Sequence, residues 1–157
     1  MPENRELASF AGFICRSIDR VVACLDGLDA QALNWRPPAD GANSLSVLAV
    51  HTMANAEENI LGTLCGRLGE RRREHEFAIR GEAAEALRER WLRLRAQIEA
   101  TLAGLPLAEL DREHQHPRRG PLTGWEILIV VARHAAEHQG QAELTRDLLR
   151  TARPGDG

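Results

Sequence analysis

Residues 123–149, TGWEILIVVARHAAEHQGQAELTRDLL, carry the strongest helix signal in the chain. Thr123 precedes Glu126 by three residues, which is the spacing of a capping box at the start of a helix. We therefore expect a helix that has Thr123 as its N-cap, runs to about Arg150 and is stopped by Pro154. Residues spaced three and four apart in this helix define a predicted core stripe, which consists of Leu128, Val131, His134, His138, Gln141, Thr145 and Leu148.

Two histidines lie within that stripe. His134 and His138 are four residues apart, which is about one helical turn, so their imidazoles project from the same face. Neutral imidazoles in a core need partners for their ring nitrogens. A metal ion shared by the two side chains would provide such a partner, and hydrogen bonds to other core groups would do so as well. The pair alone leaves both interpretations open.

Three other segments, residues 4–28, 44–67 and 81–104, also have helical periodicity in their apolar residues. Four such helices are most simply buried in an all-α four-helix bundle. The expected organisation is a single domain over residues 1–157, with an ordered core at about 4–150. Because the connections are long, at least one of them could cross over the bundle. No strand and no internal repeat is predicted.

The composition argues against several classes of partner. The chain has 157 residues, of which 43% are hydrophobic, and a net charge of -3, which favours neither a nucleic-acid nor a membrane partner. Residues 67–99 hold nine Arg and seven Glu, and such mixed charge is typical of a solvated face. No signal peptide or bilayer-spanning run is evident, so we expect a cytoplasmic protein whose three cysteines are free thiols.

His51 is the expected third partner of the histidine pair. It lies in the predicted helix at residues 44–67, whose expected N-cap is Ser44 or Asn43. The side of that helix that carries His51 also carries Val47, Leu48, Asn55 and Glu58. The remaining histidines lie in polar connections and are predicted to be solvated; they are His75, His114 and His116.

Three histidines from two helices would leave coordination positions of a metal ion open, as catalytic sites do. A bound water could then become a hydroxide that attacks a carbonyl, or a substrate thiol could be held as a nucleophilic thiolate. His134 to His138 also match HxxEH, the inverted zinc-peptidase signature, in which Glu137 would be the general base. Those peptidases need a further carboxylate ligand well downstream, and only 19 residues follow His138, so this interpretation is disfavoured.

Two stretches resemble the DinB-like proteins, a superfamily of small metal-binding bundles that includes YfiT-like proteins. The stretch LNWRPPADGANSLSVLAVHTMANAEENILGTL resembles the centre of that family, which has a Trp-x-Pro-type loop and a Ser-started helix with one His. Its matching residues are, in order, Trp35, Pro37, Ser44 and His51. The stretch RHAAEHQGQAELTRDLL is similar to the family's last helix, in which HxxxH is followed by Gly-Gln. Its matching residues are His134, His138, Gly140 and Gln141.

The resemblance covers nearly the whole chain, and it implies both a fold and a cofactor. The implied fold is a four-helix bundle with a crossover connection between helices two and three, often in a homodimer. The implied cofactor is one divalent metal ion, commonly zinc or nickel, held by His51, His134 and His138 with water completing the shell. Relatives in the family include thiol-dependent S-transferases and a mycothiol-dependent maleylpyruvate isomerase, and others are described as metal-dependent hydrolases.

The leading functional hypothesis is a metal-dependent enzyme that activates a low-molecular-weight thiol for transfer to an electrophilic small-molecule substrate. Asn55, Gln141 and Glu58 share helical faces with the three histidines and are expected to orient ligands or substrate. Glu58 and Glu137 are the candidate catalytic groups. The alternatives are hydrolysis by a metal-bound hydroxide, a metal-holding structural dimer without turnover, and a bundle with core histidines and no metal.

Overall fold

Four long helices build the molecule in the computed structural model, which describes residues 5–67, 69 and 71–153. The elements in chain order are α1 (Arg5–Ala23), α2 (Ala30–Asn34), α3 (Leu45–Ala56), a π-helical segment (Glu57–Leu64), α4 (Arg73–Ala78), α5 (Ala84–Ala103), α6 (Ala108–Asp111), β1 (Glu113–His116), β2 (Gly120–Thr123) and α7 (Gly124–Ala152). The predicted start of the first helix at residue 4 and the predicted stop at Pro154 lie outside the described residues.

The core lies between α1, α3, α5 and α7. Both α1 and α3 pack against α5 and α7, and buried apolar side chains from all four helices form one continuous cluster. Ile14, Leu48, Ile98 and Leu128, one from each helix, are almost completely buried. This arrangement confirms the predicted all-α four-helix bundle. The crossover between the second and third long helices stays a prediction.

The start of α7 agrees with the sequence. Thr123 Oγ1 accepts a hydrogen bond from the Glu126 backbone N–H at 3.2 Å, and Glu126 Oε2 accepts one from the Thr123 N–H at 2.7 Å. This is the predicted capping box, and it satisfies two backbone donors that the helix leaves unpaired. A Cβ at Gly124 would lie 2.7 Å from the Glu109 carbonyl oxygen, so the close approach of α6 to α7 requires glycine there.

The predicted core stripe of α7 is wrong in its last turn. Leu148 is 42% exposed, whereas Leu149 is 2% exposed and belongs to the core. The row that stays buried along the helix runs through Leu128, Ala135, Ala142 and Leu149. The row through His134, Gln141 and Leu148 becomes exposed towards its end. That row lies at the border of the buried face, and apolar spacing alone does not distinguish the border of a stripe from its centre.

Residues 113–123 form a β-hairpin, although no strand was predicted. Strands β1 and β2 pair antiparallel, from Glu113 opposite Thr123 to His116 opposite Gly120. The sequence lacks the usual alternation of apolar residues because histidines occupy the buried positions. His114 and His116 are buried, at 7% and 4% exposure, so the prediction that they are solvated is wrong. The prediction is correct for His75, which is exposed.

The second long helix changes its hydrogen-bond pattern part-way. Ser44 is its N-cap as predicted, since its side chain accepts a hydrogen bond from the Val47 N–H. The chain is α-helical to Ala56 and π-helical from Glu57 to Leu64, where one α-helix to residue 67 was expected. π-Helical turns are rare and are found frequently at functional sites.

None of the described helices combines the length and the hydropathy needed to cross a bilayer. The three cysteines are free, as predicted, and Cys15 and Cys24 are buried. Burial, together with the negative charge of Glu99, raises the pKa of the Cys15 thiol to about 11. A nucleophilic role for that thiol near neutral pH is therefore disfavoured.

Candidate metal centre

The three histidines expected from the sequence converge on one point between α3 and α7. The Nε2 atoms of His134 and His51 are 3.0 Å apart, and those of His134 and His138 are 3.1 Å apart. His51 is buried, while His134 and His138 are half-buried. One nitrogen from each ring lies within 4.8 Å of the other two, which is an arrangement that could hold a metal ion.

Two of the three rings are held in a single tautomer by oxygen acceptors. Nδ1 of His51 donates to Glu76 Oε2 at 2.8 Å, and Nδ1 of His138 donates to Gln141 Oε1 at 2.7 Å. Because each Nδ1 carries the proton of a neutral ring, each Nε2 has its lone pair free. Both lone pairs point at the Nε2 atom of His134. The acceptors thus prepare the two rings for a shared electrophile.

No single position of the His134 proton gives every ring nitrogen of the three histidines a hydrogen-bond partner. Nε2 of His134 could donate to only one of its two neighbours, and its Nδ1 is buried without a hydrogen-bond partner in the described part of the chain. Burial, and the repulsion that a charged His138 or His51 would add, lower the pKa of His134 to about 2, so the imidazolium form is disfavoured as well. When His134 carries its proton on Nδ1, three lone pairs converge, and this is the donor set of a cation.

The separations of the nitrogens also fit a metal ion. Nitrogens bound at about 2.1 Å lie about 3.0 Å apart at a right angle and about 3.4 Å apart at a tetrahedral angle. The two separations, 3.0 and 3.1 Å, lie within this range. The residues present therefore fit a metal ion that binds nitrogen at about this distance.

A chain of ion pairs, of which all members but the exposed Arg118 are largely buried, extends from His51. Glu76, which accepts the proton of His51, is itself held by Arg71, whose Nε and Nη2 donate to its two oxygens at 2.6 and 2.8 Å. Arg71 Nη1 then donates to Glu58 Oε2 at 2.9 Å. Arg118, from the turn of the hairpin, donates to both oxygens of Glu58. We call Glu76, Arg71, Glu58 and Arg118 the ion-pair chain.

The ion-pair chain fixes the charge of its members. Burial alone would raise the pKa of Glu76, but hydrogen bonds from Arg71 and His51 outweigh it and lower that pKa. Burial likewise opposes ionisation of Glu58, and hydrogen bonds from Arg118 and Arg71 again lower the pKa. Both carboxyl groups are therefore held as carboxylates, which keeps Glu76 an acceptor for the His51 proton.

The remaining candidate residues take different positions. Gln141 contacts His138 directly. Asn55 is buried, one turn after His51, and its Oδ1 has no partner within the described residues. Glu58 belongs to the ion-pair chain. Glu137 pairs with Arg133 at 2.9 Å on an exposed part of α7, so the structure does not bring its carboxylate into the histidine group. The catalytic roles predicted for Glu58 and Glu137 stay predictions.

Sequence reasoning missed Glu76 and Arg71. Both lie in the Arg- and Glu-rich stretch that was predicted to be a solvated face, yet their side chains are each 7% exposed. Nothing in the local spacing distinguishes them from their exposed neighbours. The contact of the hairpin with this helix was missed as well. His116 Nε2 donates to Asn59 Oδ1 at 3.1 Å, and Asn59 Nδ2 donates to the Asn55 carbonyl at 2.8 Å. These bonds tie the hairpin to the helix that carries His51.

Comparison with known proteins agrees with this geometry. The family model of the DinB superfamily matches residues 15–142, a range that contains all three histidines. The chain belongs to the DinB superfamily. Its fold also resembles that of a conserved protein from Enterococcus faecalis known from a crystal structure, with a TM-score of 0.74 at 17% sequence identity. That similarity covers 96% of this chain and 99% of the other, and it concerns the fold alone. A search of curated proteins found no significant match.

Proposed function

We propose that this protein is a metal-dependent enzyme whose single divalent ion is bound by His51, His134 and His138. The observation that carries the proposal is the convergence of three Nε2 atoms, two of which have their tautomers fixed by Glu76 and Gln141. Imidazole ligands suit zinc and nickel, and one of these is the proposed metal. His134 and His138 are half-buried and Gln141 is exposed, and a small molecule is proposed to reach the ion from their side.

The proposed reaction is the transfer of a low-molecular-weight thiol to an electrophile. When bound, the ion would supply Lewis acidity that stabilises the thiolate. The protein holds the rings around it: Glu76 fixes His51 and Gln141 fixes His138. The unpartnered Oδ1 of Asn55 is proposed to accept a hydrogen bond from substrate or from an ordered water.

The carboxylates near the histidines favour the thiol reaction over hydrolysis. A hydroxide mechanism is helped by a nearby carboxylate that can take a proton. Glu76 and Glu58 are both tied to arginines in the ion-pair chain, and Glu137 pairs with Arg133. Ion pairs of this kind hold a carboxylate in its charged form and lower its strength as a base. Transfer of a thiol would need no such base, because a thiol that ionises on binding would release its proton to solvent.

The proposal is tested with purified protein that has been stripped with a chelator and reloaded with zinc or nickel. One arm measures conjugation of glutathione to 1-chloro-2,4-dinitrobenzene, and the other measures hydrolysis of p-nitrophenyl acetate without thiol. Metal-dependent conjugation that is lost in His134→Ala is the expected result. Metal-dependent hydrolysis without any thiol reaction would favour the hydroxide alternative, and a bound metal without turnover of a broader set of thiols would favour the structural alternative.

We also propose that the protein is a homodimer. Exposed apolar side chains on α1 and α7 are candidates for the contact, namely Phe13, Ile129, Leu144 and Leu148. Burial of such side chains between two copies would remove apolar surface from water. Light scattering after gel filtration measures the mass directly: a mass of two chains is expected, and a mass of one chain would contradict the proposal.

A further inference from the structure

A cleft of about 630 Å³ lies beside the candidate metal centre. Among the described residues, none of the three histidines lines it. Glu58, Arg71 and Glu76 do, and Glu76 also bonds to His51. The ion-pair chain therefore stands between the cleft and the metal ligands. The cleft has the size of a typical small-molecule site.

The floor of this cleft is apolar. It is formed by side chains from one face of α3 and the π-helical segment, together with one residue that follows α4. These residues are Val50, Ala54, Leu61 and Ile79. An apolar floor is suited to the hydrocarbon or aromatic body of a ligand, because contact there removes apolar surface from water.

The carboxylates that line the cleft already have cationic partners. Glu76 and Glu58 belong to the ion-pair chain, and Glu57 lies 3.6 Å from Arg90. A cationic ligand would have to displace one of these arginines from its partner. The lining therefore offers no ready site for a positive charge.

The arginines of the lining outnumber these carboxylates. Two of these arginines are already paired, since Arg71 belongs to the ion-pair chain and Arg90 lies 3.6 Å from Glu57. Arg67 is exposed at the rim, and no ion pair to it occurs within the described part of the chain. Its backbone N–H donates to the Leu61 carbonyl at 2.9 Å, which fixes Arg67 next to the apolar floor. An anionic group bound near Arg67 would meet a positive charge that no described carboxylate compensates.

We propose that this cleft binds a small molecule that has an apolar body and one anionic group, such as a carboxylate, phosphate or sulfonate. The body lies on Val50, Ala54 and Leu61, and the anion contacts Arg67. The binding does not depend on the three histidines, so it is expected in metal-free and metal-loaded protein alike. Absence of ligand binding in the cleft would therefore contradict this proposal alone, and absence of metal binding would contradict the metal site alone.

The test is a titration of isotope-labelled protein followed by NMR with three probes of similar size. Phenylphosphate carries the anion, benzyl alcohol is neutral, and phenyltrimethylammonium is cationic. Phenylphosphate is expected to shift the amide signals of Ala54, Leu61 and Arg67 in a saturable way. Its Kd is expected to be at least about fivefold below those of the other two probes, which is the scale of one charge contact near a protein surface.

Variants locate the charge. Arg67→Glu should abolish the preference for phenylphosphate, and Arg67→Lys should keep most of it. Arg93→Glu, which makes the same charge change at an exposed site of α5 outside the cleft, should leave the preference intact. Equal affinity for the three probes, shifts confined to other parts of the protein, or an unchanged preference in Arg67→Glu would each overturn the proposal.

Discussion

Replacement of Glu76 by alanine should weaken metal binding, although Glu76 is not one of the three candidate ligands. Its carboxylate accepts the Nδ1 proton of His51 at 2.8 Å inside the bundle. Without that acceptor, the His51 ring loses both its fixed tautomer and its fixed orientation. A His51 ring that is protonated on Nε2 cannot bind a metal through that atom, so some of the apo protein would hold the wrong tautomer.

The size of the effect follows from the role of such outer partners. Loss of the group that orients a histidine ligand typically lowers metal affinity about 10–100-fold, which corresponds to about 1.4–2.8 kcal/mol of binding free energy. The alanine variant also leaves Arg71 with fewer buried partners. Removal of one member of a buried ion pair costs about 3–5 kcal/mol of stability, and we expect the low end because Arg71 keeps Glu58.

The assay is a competition between the protein and a zinc chelator of known affinity, at a temperature where circular dichroism shows that the variant is folded. Glu76→Gln keeps an acceptor oxygen but loses the charge, so its affinity should fall less than that of Glu76→Ala. Glu74→Ala is the matched control, because Glu74 is exposed on the same short helix α4. An affinity of folded Glu76→Ala within about threefold of the unmodified protein would refute the reasoning, since the expected loss is about tenfold or more.

Three further predictions concern other residues. Gln141→Ala should lower zinc affinity by up to about tenfold because His138 loses its Nδ1 acceptor, whereas Gln139→Ala should not, since Gln139 bonds to Glu143 instead; the same competition assay compares them. Hydrogen bonds from Arg118 and Arg71 outweigh burial and lower the pKa of Glu58 in the folded protein. The Glu58 carboxylate therefore stabilises the fold at a pH above its ordinary pKa of 4.5, and this stabilisation is lost as the pH falls through the pKa of the folded state. Urea unfolding at several acidic pH values should show that acidification lowers the free energy of unfolding less in Glu58→Gln than in the unmodified protein. An identical loss in the two proteins would contradict the argument. Leu149→Ala should cost about 2–5 kcal/mol in urea unfolding and Leu148→Ala less than about 0.5 kcal/mol; similar costs would contradict the observed burial.

The parts of the structure that the sequence predicted depend on local rules. The capping box of Thr123 and Glu126 needs only a spacing of three residues, and the pairing of His134 with His138 needs only one helical turn. The inclusion of His51 rests on its place in an apolar helix face and on the family resemblance. The capping box and the histidine pair could be predicted because each is decided within a single helix, whereas the contact of His51 with the pair joins two helices.

The parts that the sequence did not predict depend on contacts between distant segments. Glu76 and Arg71 are surrounded in sequence by exposed charged residues, and their burial results from the docking of one connection onto His51 and Glu58. The buried histidines of the hairpin are of the same kind, since His116 is buried against Asn59, 57 residues away. Charged and polar residues are buried only when partners are available, and sequence periodicity does not identify those partners.

The change from α-helix to π-helix after Ala56 was also not predicted from the sequence. The wider π-helical turn rotates the side chains of residues 57–64 relative to the positions that an α-helix would give them. Glu58 and Asn59 are adjacent in sequence, yet Glu58 meets Arg71 while Asn59 meets His116. An ordinary helical wheel placed Glu58 beside His51, and the structure instead connects the two through Arg71 and Glu76.

The most direct test of the central claim is the metal content of the purified protein, measured by mass spectrometry without an affinity tag and without added metal. The unmodified protein is compared with His51→Ala, His134→Ala and His138→Ala, and with His75→Ala as a control, because His75 is exposed and outside the histidine group. About one zinc or nickel ion per chain, strongly reduced in each of the three variants and retained in the control, is the predicted result. A metal-free unmodified protein whose thermal stability does not change on addition of zinc or nickel would contradict the claim.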